Sequence, residues 1–369
     1  MTESYGVGII GTGFGGSVHI PGFQAHPRTK VVAVASVPKR DADLTAKKYG
    51  IEHAFESYRE MLKLPEVQIV SVATPPFLHF EAVKDALKAG KHVLCEKSLA
   101  TNVEEARQML KLAEKSGLVH MVDFEFRYIP AWARFREMIE KVGTLYTVNV
   151  KIFRGISLGM KWTWRESRAK GGGGMVGDGC HYFDALRYWF GDIVRVAGIE
   201  RTFAKEAPDP ETGKPKAIDA DDTFALLLEF ESGGLGVVHY TSVAPGGSGA
   251  FIEVAGSHGG LALTANEEIL ETPSERRPAG WHGYLGFDEM RVEPNRVEIP
   301  DRLKEAHGMR YDREDPLVFP FLRLVDQVVK AVDSNTPLSP TFYDGYRAQL
   351  IMDAVAKSYK SRRWISTKP

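Results

Sequence analysis

The sequence predicts an N-terminal α/β Rossmann dinucleotide-binding domain, followed by an α+β domain built on a large, mostly antiparallel, open-faced sheet. Strands and helices alternate over residues 5–122, which is typical of a parallel sheet. The later strand candidates follow one another without intervening helices, which favours antiparallel pairing. The predicted domains are 1–123 and 124–369, and a C-terminal helix over about 341–360 is expected to pack back on the first domain.

A glycine loop is the strongest single motif. The apolar run at 7–10 passes directly into Gly11, Gly13 and Gly16, with the spacing G-x-G-x-x-G that is typical of dinucleotide binding between a strand and a helix. Gly11 would allow the tight turn, Gly13 would let a pyrophosphate approach the backbone, and Gly16 would let the helix pack on the sheet. The loop predicted to contact a cofactor comprises Gly11, Thr12, Gly13, Phe14, Gly15 and Gly16.

The end of the second strand indicates which dinucleotide is bound. NAD-binding folds usually place Asp or Glu about 20 residues beyond the last glycine, where it holds the ribose 2′-hydroxyl. Here that position is Ser36, and Lys39 and Arg40 follow it closely. A small hydroxyl with two cations nearby suits a 2′-phosphate, so NADP(H) is favoured and NAD(H) is possible. The alternative is that Lys39 and Arg40 are solvated residues at a helix start.

Composition argues against several classes of partner. Lys plus Arg (47) nearly cancels Asp plus Glu (48) and no basic tract is present, so neither nucleic acid nor a membrane is an expected partner. The N-terminus shows no signal-peptide pattern and no apolar run has transmembrane length, which predicts a cytoplasmic protein. Cys95 and Cys180 are too few for a disulfide framework or a cysteine metal site, and no metal is expected.

Periodicity and turn signals place the other elements. Within the first domain, further strands are predicted at 30–35, 68–73, 91–95 and 118–122, and helices at 41–49, 57–62, 78–89 and 103–116. Within the second, strands are predicted at 144–153, 193–201, 223–231, 236–242 and 251–255, and helices at 130–141, 319–332 and 343–359. The polar stretch 266–316 receives no assignment.

Several segments resemble the glucose-fructose oxidoreductase / inositol dehydrogenase / MocA superfamily, and together they cover nearly the whole chain. The matching segments are the GTGFGG loop, ATPPFLH at 73–79, AGKHVLCEK at 89–97, the GGGG…H…D segment at 171–184, Asp222-Thr223, the GSHGGLAL turn from Gly256, and Asp344-Gly345. The resemblance implies an enzyme that oxidises or reduces a hydroxyl carbon of a sugar, anhydrosugar or cyclitol with NAD(P).

Lys97 is the first candidate catalytic residue. It follows a strand predicted to end on the ligand side of the parallel sheet. Hydride transfer from an alcohol to nicotinamide requires a group that takes the hydroxyl proton, and burial beside a positive nicotinamide ring is expected to lower the pKa of Lys97. Taken alone, Glu96-Lys97 would more often be a surface pair. The resemblance implies the catalytic role, although the family has proline where this chain has Ser98.

The segment around His181 is the second candidate, and here too the resemblance is decisive. The family pattern is three glycines, three residues, Asp, three residues and His. Alignment on His181 and Asp184 places Gly177 at the Asp position and leaves Asp178 one residue later. Asp178 and His181 would still share a helix face at i,i+3, so both are predicted in the site, with His181 handling a proton or orienting the substrate. Without the resemblance, His181 would more often be structural.

The other predicted site residues depend on position. Thr74 and Pro75 are expected to touch the cofactor through their backbone, with Glu96 beside it and His79 below the nicotinamide loop. Substrate contacts are predicted for Lys97, Arg127, Tyr128, Trp164, Arg165, Asp178 and His181. For the cationic and aromatic residues among these, ordinary packing is the alternative.

Three functions remain open at this stage. The first is an NAD(P)-dependent dehydrogenase or reductase acting on the CH–OH group of a small sugar or polyol. The second is a nucleotide-binding sensor without turnover, and the third is an NAD-dependent glycosidase that recycles its cofactor internally. The open sheet needs cover, which predicts a homo-oligomer, dimer or tetramer, formed through the C-terminal sheet.

Overall fold

The computed structural model describes residues 4–273, 294–313 and 315–369. The first sheet consists of β1 (Tyr5–Ile10), β2 (Thr29–Ala35), β3 (His53–Phe55), β4 (Ile69–Val72), β5 (His92–Cys95) and β6 (His120–Val122). The helices between its strands are α1 (Ile20–Ala25), α2 (Lys39–Tyr49), α3 (Tyr58–Met61), α4 (His79–Lys88) and α5 (Val103–Ser116).

The first sheet is parallel throughout, in the order β3-β2-β1-β4-β5-β6. After β1 the chain adds β2 and β3 on one side of the sheet, and it then crosses to the other side of β1 and adds β4, β5 and β6. The connections that leave β1 and β4 therefore run in opposite directions. The loops that follow these two strands therefore diverge and leave a crevice at the carboxyl edge of the sheet, where such folds bind ligands.

The second sheet and its helices follow. Its strands are β7 (Leu145–Phe153), β8 (Ile193–Arg201), β11 (Thr223–Phe230), β12 (Leu235–Thr241), β13 (Gly249–Gly256), β14 (Gly259–Leu263), β15 (Ile269–Pro273), β16 (Asn295–Val297) and β19 (Ile365–Ser366). Two small hairpins are β9 (Glu206–Pro208) with β10 (Pro215–Ala217), and β17 (Glu305–Ala306) with β18 (Met309–Arg310). The helices are α6 (Pro130–Met138), α7 (Cys180–Phe190), α8 (Asp301–Lys304), α9 (Val318–Ser334) and α10 (Phe342–Ser361).

The nine strands run in the order β16-β15-β14-β13-β7-β12-β11-β8-β19. Only the pairing of β7 with β12 is parallel among the described pairs of this sheet. Along β12 the side chains alternate, with Val238 buried and Leu235 and Val237 exposed. One face therefore packs on the core while the other faces outward, which confirms the predicted fold class.

Two helices from the end of the chain join the two sheets. Phe321 and Val325 of α9 pack in the same core as Val7 of β1. In α10, Phe342 packs with the first sheet and Ile351 with the second. The predicted segment 124–369 therefore contributes helices to the core of the first sheet as well as its own.

Part of the unassigned stretch 266–316 now has structure, forming β15 to β18 and α8, while residues 274–293 and 314 lie outside the described part. Two π-helical turns, Gly15–His19 and Met175–Gly179, were not predicted. Each leads directly into an α-helix, so the apolar spacing continues almost unchanged through it. No helix in the described ranges is long and apolar enough to cross a membrane.

Candidate active site

A cavity of about 1210 Å³ runs from the glycine loop after β1, past the end of β5, to the ends of β7 and β12 in the second sheet. It brings together most of the residues that the sequence predicts for the site. Those lining it are Gly11, Thr12, Gly13, Phe14, Ser36, Thr74, Pro75, Glu96, Lys97, Trp164, Arg165, Asp178 and His181.

The glycine loop has the geometry that a dinucleotide requires. Gly11 has φ of +103°, and a Cβ there would lie 2.6 Å from the carbonyl oxygen of Ala73. A Cβ on Gly13 would meet no atom within 4 Å, and Gly13 lines the cavity, so a ligand can approach the backbone there. These observations fit the pyrophosphate of NAD(P).

The close packing predicted for Gly16 occurs at Gly15 instead. A Cβ on Gly15 would lie 3.1 Å from the side chains of Ile9 and Ala73, whereas one on Gly16 would meet no atom within 4 Å. The reason is the π-helical turn Gly15–His19, which changes the side of the helix that each glycine presents to the sheet.

At the end of β2, the Ser36 hydroxyl lies 3.0 Å from the hydroxyl of Thr12. Lys39 and Arg40 begin α2 and are exposed, and neither is among the residues that line the cavity. Lys39 forms an ion pair with Asp43 at 2.6 Å. The carboxylates that do line this end of the cavity belong to Asp41 and Glu56.

Lys97 lies where the two sheets meet. Its Nζ donates a hydrogen bond to the carbonyl oxygen of Gly177 at 2.6 Å, and the neighbouring Ser98 hydroxyl donates to the carbonyl oxygen of Val176 at 3.1 Å. Both carbonyls belong to the π-helical turn Met175–Gly179. The end of β5 is thereby fastened to the segment that carries Asp178.

The pKa of Lys97 departs from the predicted direction. Burial lowers it, but attraction between the ammonium and the ionised forms of its acidic neighbours outweighs burial and leaves the pKa above its ordinary value. These neighbours are Cys180, Glu96, Glu125 and Asp178. The expected lowering is therefore wrong for the protein without cofactor, because the sequence did not reveal how many acidic groups surround the ammonium.

Asp178 faces the second sheet. Its Oδ2 accepts hydrogen bonds from Nη1 of Arg154 at 3.2 Å and from the hydroxyl of Tyr240 at 3.3 Å. Arg154 directly follows β7, and Tyr240 lies near the end of β12. All three line the cavity, so its far end is a polar cluster that can recognise hydroxyl groups.

His181 is 2% exposed and lies on the first turn of α7. Its ring stacks on Phe126 with the centroids 3.8 Å apart, and its Nε2 lies 3.9 Å from Oε1 of Glu125. Burial lowers the pKa of His181 well below its ordinary value, and the charges of Lys97 and Arg154 lower it further. The imidazole is therefore neutral at physiological pH and can donate or accept a hydrogen bond.

Sequence reasoning missed Arg154, Tyr240 and Glu125. The predicted strands could have indicated all three. Arg154 directly follows the strand predicted at 144–153, and Tyr240 lies inside the strand predicted at 236–242. Glu125 lies just beyond the strand predicted at 118–122, in a position like that of Glu96 after its own strand. Strand order in the second sheet was needed to bring the first two together.

Two predicted substrate contacts lie away from the cavity lining. Arg127 forms a double hydrogen bond with the carboxylate of Asp184 at 2.5 and 2.7 Å and lies 3.1 Å from Asp344. Its side chain is only 4% exposed. Tyr128 packs against the core that contains α9. The structure places both residues in the packing between the helices and the first sheet.

His79 supports the cofactor side of the cavity from beneath. Its Nε2 lies 2.7 Å from the carbonyl oxygen of Thr74, and its Nδ1 lies 3.0 Å from that of Ser98. Burial lowers the pKa of His79, although the carbonyl groups act in the opposite direction. His79 thus joins the loops that follow β4 and β5, which supply Thr74 and Lys97.

Comparisons with known proteins agree with this architecture. The family described as "Oxidoreductase family, NAD-binding Rossmann fold" matches residues 5–124, and "Oxidoreductase family, C-terminal alpha/beta domain" matches residues 136–367. An uncharacterised oxidoreductase of Synechocystis is 32% identical over 366 residues, covering 98% of this chain and 95% of that one. Levoglucosan dehydrogenase of Pseudarthrobacter phenanthrenivorans is 28% identical over 401 residues, covering 98% of each chain.

A solved structure of levoglucosan dehydrogenase in complex with NADH has the same fold. Its TM-score is 0.88 at 24% identity, covering 99% of this chain and 100% of that one. Both family descriptions match, one on each sheet of the structure. The chain therefore belongs to the glucose-fructose oxidoreductase / inositol dehydrogenase / MocA family of oxidoreductases, whose first domain is an NAD-binding Rossmann fold.

Proposed function

We propose that this protein is an NAD(P)-dependent dehydrogenase or reductase acting on a hydroxyl or carbonyl carbon of a sugar, anhydrosugar or cyclitol. The proposal depends on one observation: a single cavity is lined by Gly13 of the glycine loop, by Lys97 and by His181. A cofactor on the glycine loop and a substrate at the second sheet would meet at Lys97.

When bound, the nicotinamide would supply the hydride acceptor or donor. Lys97 would take the hydroxyl proton during oxidation and return it during reduction. The Gly177 carbonyl holds its Nζ at the middle of the cavity. His181, which is neutral, would hydrogen-bond the reacting oxygen, while Asp178 would hold Arg154 toward another hydroxyl of the substrate.

The glycine loop, Thr74, Pro75 and Glu96 would hold the cofactor. NADP(H) is the first candidate, because Ser36 follows β2 at the position where NAD-binding folds usually carry a carboxylate, and Arg40 lies exposed just beyond. NAD(H) is the second candidate. It is favoured by Asp41 and Glu56, whose carboxylates line this end and would repel a 2′-phosphate, and by the NADH complex of levoglucosan dehydrogenase.

Sugar-like substrates suit the far end of the cavity. Trp164 offers an aromatic face there, and the guanidinium of Arg165 lies 4.5 Å from its ring centroid. Aromatic faces pack against sugar C–H groups, while cations and tyrosine hydroxyls bind hydroxyl oxygens. The name levoglucosan dehydrogenase, for a relative of nearly equal length, supports the same substrate class.

A sensor without turnover is the competing function. It is favoured by two contacts, since the Lys97 ammonium is already bonded to a carbonyl and Asp178 is already paired with Arg154. Such a protein would bind the cofactor and respond to its presence, but it would never oxidise or reduce it. Net production of NAD(P)H excludes both this sensor and a glycosidase that recycles its cofactor.

A homo-oligomer formed through the second sheet is part of the proposal. On its outer face Leu227 and Val237 pair across β11 and β12 and are 49% and 40% exposed, and Ile199 of β8 is 45% exposed on the same face. Apolar rows of this kind mark an interface. Sedimentation velocity on the purified protein tests it, and a monomer at micromolar concentration would contradict it.

The experiment that tests the proposed function is a fluorescence titration with NADPH and with NADH, followed by a panel of sugars, anhydrosugars and cyclitols with the better-bound cofactor. We expect tight binding and a stoichiometric change in nicotinamide absorbance with at least one panel member. Binding without turnover across the panel would favour the sensor, and no binding at all would contradict the assignment of the glycine loop.

A further inference from the structure

A group of buried acidic residues follows β5 and β6, and two of them, Glu96 and Glu125, line the cavity together with Lys97. Glu96, Asp123 and Glu125 are 6%, 0% and 2% exposed. His19 lies among them, with its Nε2 at 2.9 Å from Oε1 of Glu96 and 3.2 Å from Oδ2 of Asp123. The other ring nitrogen of His19 lies 2.7 Å from the hydroxyl of Ser71.

These carboxyls have too few hydrogen-bond donors. Among the described residues, both oxygens of Asp123 and Oε2 of Glu125 are buried and make no hydrogen bond, because the His19 Nε2 that lies 3.2 Å from Oδ2 of Asp123 bonds Glu96 instead. One carboxylate oxygen each of Glu96 and Asp123 and a ring nitrogen of His19 lie within 4.8 Å of one another, and Glu125 follows Asp123 two residues later in the chain. Carboxylates that face one another in a dry interior repel when all of them are charged, and a proton on an oxygen of the group relieves this repulsion.

We propose that Asp123 and Glu125 share a proton in the resting protein, and that Glu125 passes a proton to and from Lys97 during turnover. The second half of this statement rests on the function proposed above. Glu125 is the suitable member because it lines the same cavity as Lys97 and contacts His181, whereas Asp123 is fully buried.

The transfer balances in both directions. During reduction, an N–H bond of the Lys97 ammonium breaks and an O–H bond forms on the product. The O–H bond of Glu125 then breaks, an N–H bond of Lys97 forms again, and water in the cavity returns a proton to Glu125. During oxidation each step runs in reverse, so that the hydroxyl proton leaves through Lys97 and Glu125.

The pKa directions of Glu125 and Asp123 agree with a proton held between these two carboxyl groups. Burial raises the pKa of Glu125 to about 8, with the charge of Glu96 adding to the rise and that of Lys97 opposing it. Burial, followed by the charges of Glu125 and Glu96, raises the pKa of Asp123 well above its ordinary range. Among the described residues, the ionisable groups that act on Asp123, Glu125 or Lys97 are His19, Glu96, Asp178, Cys180 and His181.

Infrared difference spectra of the cofactor-free protein test the shared proton without any turnover. We expect the wild type at neutral pH to show the C=O band of a protonated carboxylic acid, because exposed Asp and Glu are ionised there. Asp123→Asn and Glu125→Gln should each lose intensity in this band, and the exposed control Glu253→Gln should not. An unchanged band in both test variants would overturn the proposal.

The pH profile of kcat/KM tests the transfer to Lys97. In the wild type and in Glu253→Gln we expect the profile to have a limb, a change of kcat/KM with pH, near the Glu125 pKa of about 8. In Glu125→Gln we expect this limb to be lost. A uniform loss of rate with the limb unchanged would give Glu125 a structural role and overturn the transfer. A wild type without any turnover would defeat the proposed function, while the infrared band would still decide on the shared proton.

Discussion

The side-chain ammonium of Lys97 lies 2.6 Å from the backbone carbonyl oxygen of Gly177. Gly177 occupies the position where the family pattern has an Asp, and Asp178 instead binds Arg154 and Tyr240 of the second sheet. A carbonyl of the π-helical turn therefore holds the proposed proton-transfer group. This arrangement replaces the i,i+4 pair that the family pattern implies.

Ser98 is 2% exposed, and its hydroxyl donates a hydrogen bond to the carbonyl oxygen of Val176. Ser98 should therefore stabilise the contact between the end of β5 and the π-helical turn. In Ser98→Ala that carbonyl loses its hydroxyl donor, and we expect the free energy of unfolding to fall by about 1–2 kcal/mol. Urea denaturation measures the change. The control Ser334→Ala removes an exposed helical hydroxyl and should stay within about 0.5 kcal/mol of the wild type. Equal losses in both variants would contradict the role of Ser98.

Arg127 should stabilise the fold without contributing to substrate affinity. Removing it leaves Asp184 as an unpaired buried charge, so Arg127→Met should cost about 3–5 kcal/mol of unfolding free energy. The exposed Arg107→Met, whose partner is Glu104, is the control and should change little. A variant of normal stability with a raised KM would instead support the substrate contact that the sequence predicts.

His120 should make the protein less stable in acid. Burial lowers its pKa to about 4, while an unfolded chain has the ordinary value near 6.5. As the pH falls, the unfolded state therefore binds a proton at His120 before the folded state does. The contribution of neutral His120 to the free energy of unfolding is fully present above pH 6.5 and is lost as the pH falls toward 4. The integrated effect is about 3 kcal/mol.

Urea unfolding measured across this pH range checks the sign and the size. His120→Gln should flatten the dependence of stability on pH, whereas the exposed control His239→Gln should retain the wild-type slope. A His120→Gln slope equal to that of the wild type would show that other groups cause the loss of stability in acid.

Arg40 should discriminate between the two cofactors. If it reads a 2′-phosphate, Arg40→Ala will weaken NADPH binding about tenfold or more, as expected for the loss of one charged contact, and will leave NADH binding unchanged. Lys39→Ala is the matched control, because Lys39 is already paired with Asp43. Equal losses for both cofactors in Arg40→Ala would contradict the proposal that Arg40 binds a 2′-phosphate.

The sequence was sufficient for five of the six strands of the first sheet, with β3 missed, and for 13 of the residues that line the cavity. Local signals gave the glycine loop and the position of Lys97 after β5, because each depends on neighbours within a few residues. The π-helical turns were missed, since a shift of one hydrogen bond hardly changes apolar spacing. The closely packed glycine is consequently Gly15, not Gly16.

The remaining site residues depend on long-range pairing. Arg154 and Tyr240 meet Asp178 only because β7 and β12 are parallel neighbours, although 81 residues separate the end of β7 from the start of β12. Arg127 was predicted at the substrate because it follows the last strand of the first sheet. Its actual partner, Asp184, lies on α7, and the pairing of these two residues was not visible in local sequence.

The most direct test of the account is the turnover of Lys97→Ala with the best substrate of the sugar panel. We expect nearly unchanged NAD(P)H affinity, and a kcat lower by about 10²–10⁴-fold, the usual contribution of a general acid or base. The control is Lys170→Ala, an exposed lysine directly before Gly171, which lines the same cavity. A near-normal kcat in Lys97→Ala would contradict the central claim that this lysine transfers the proton.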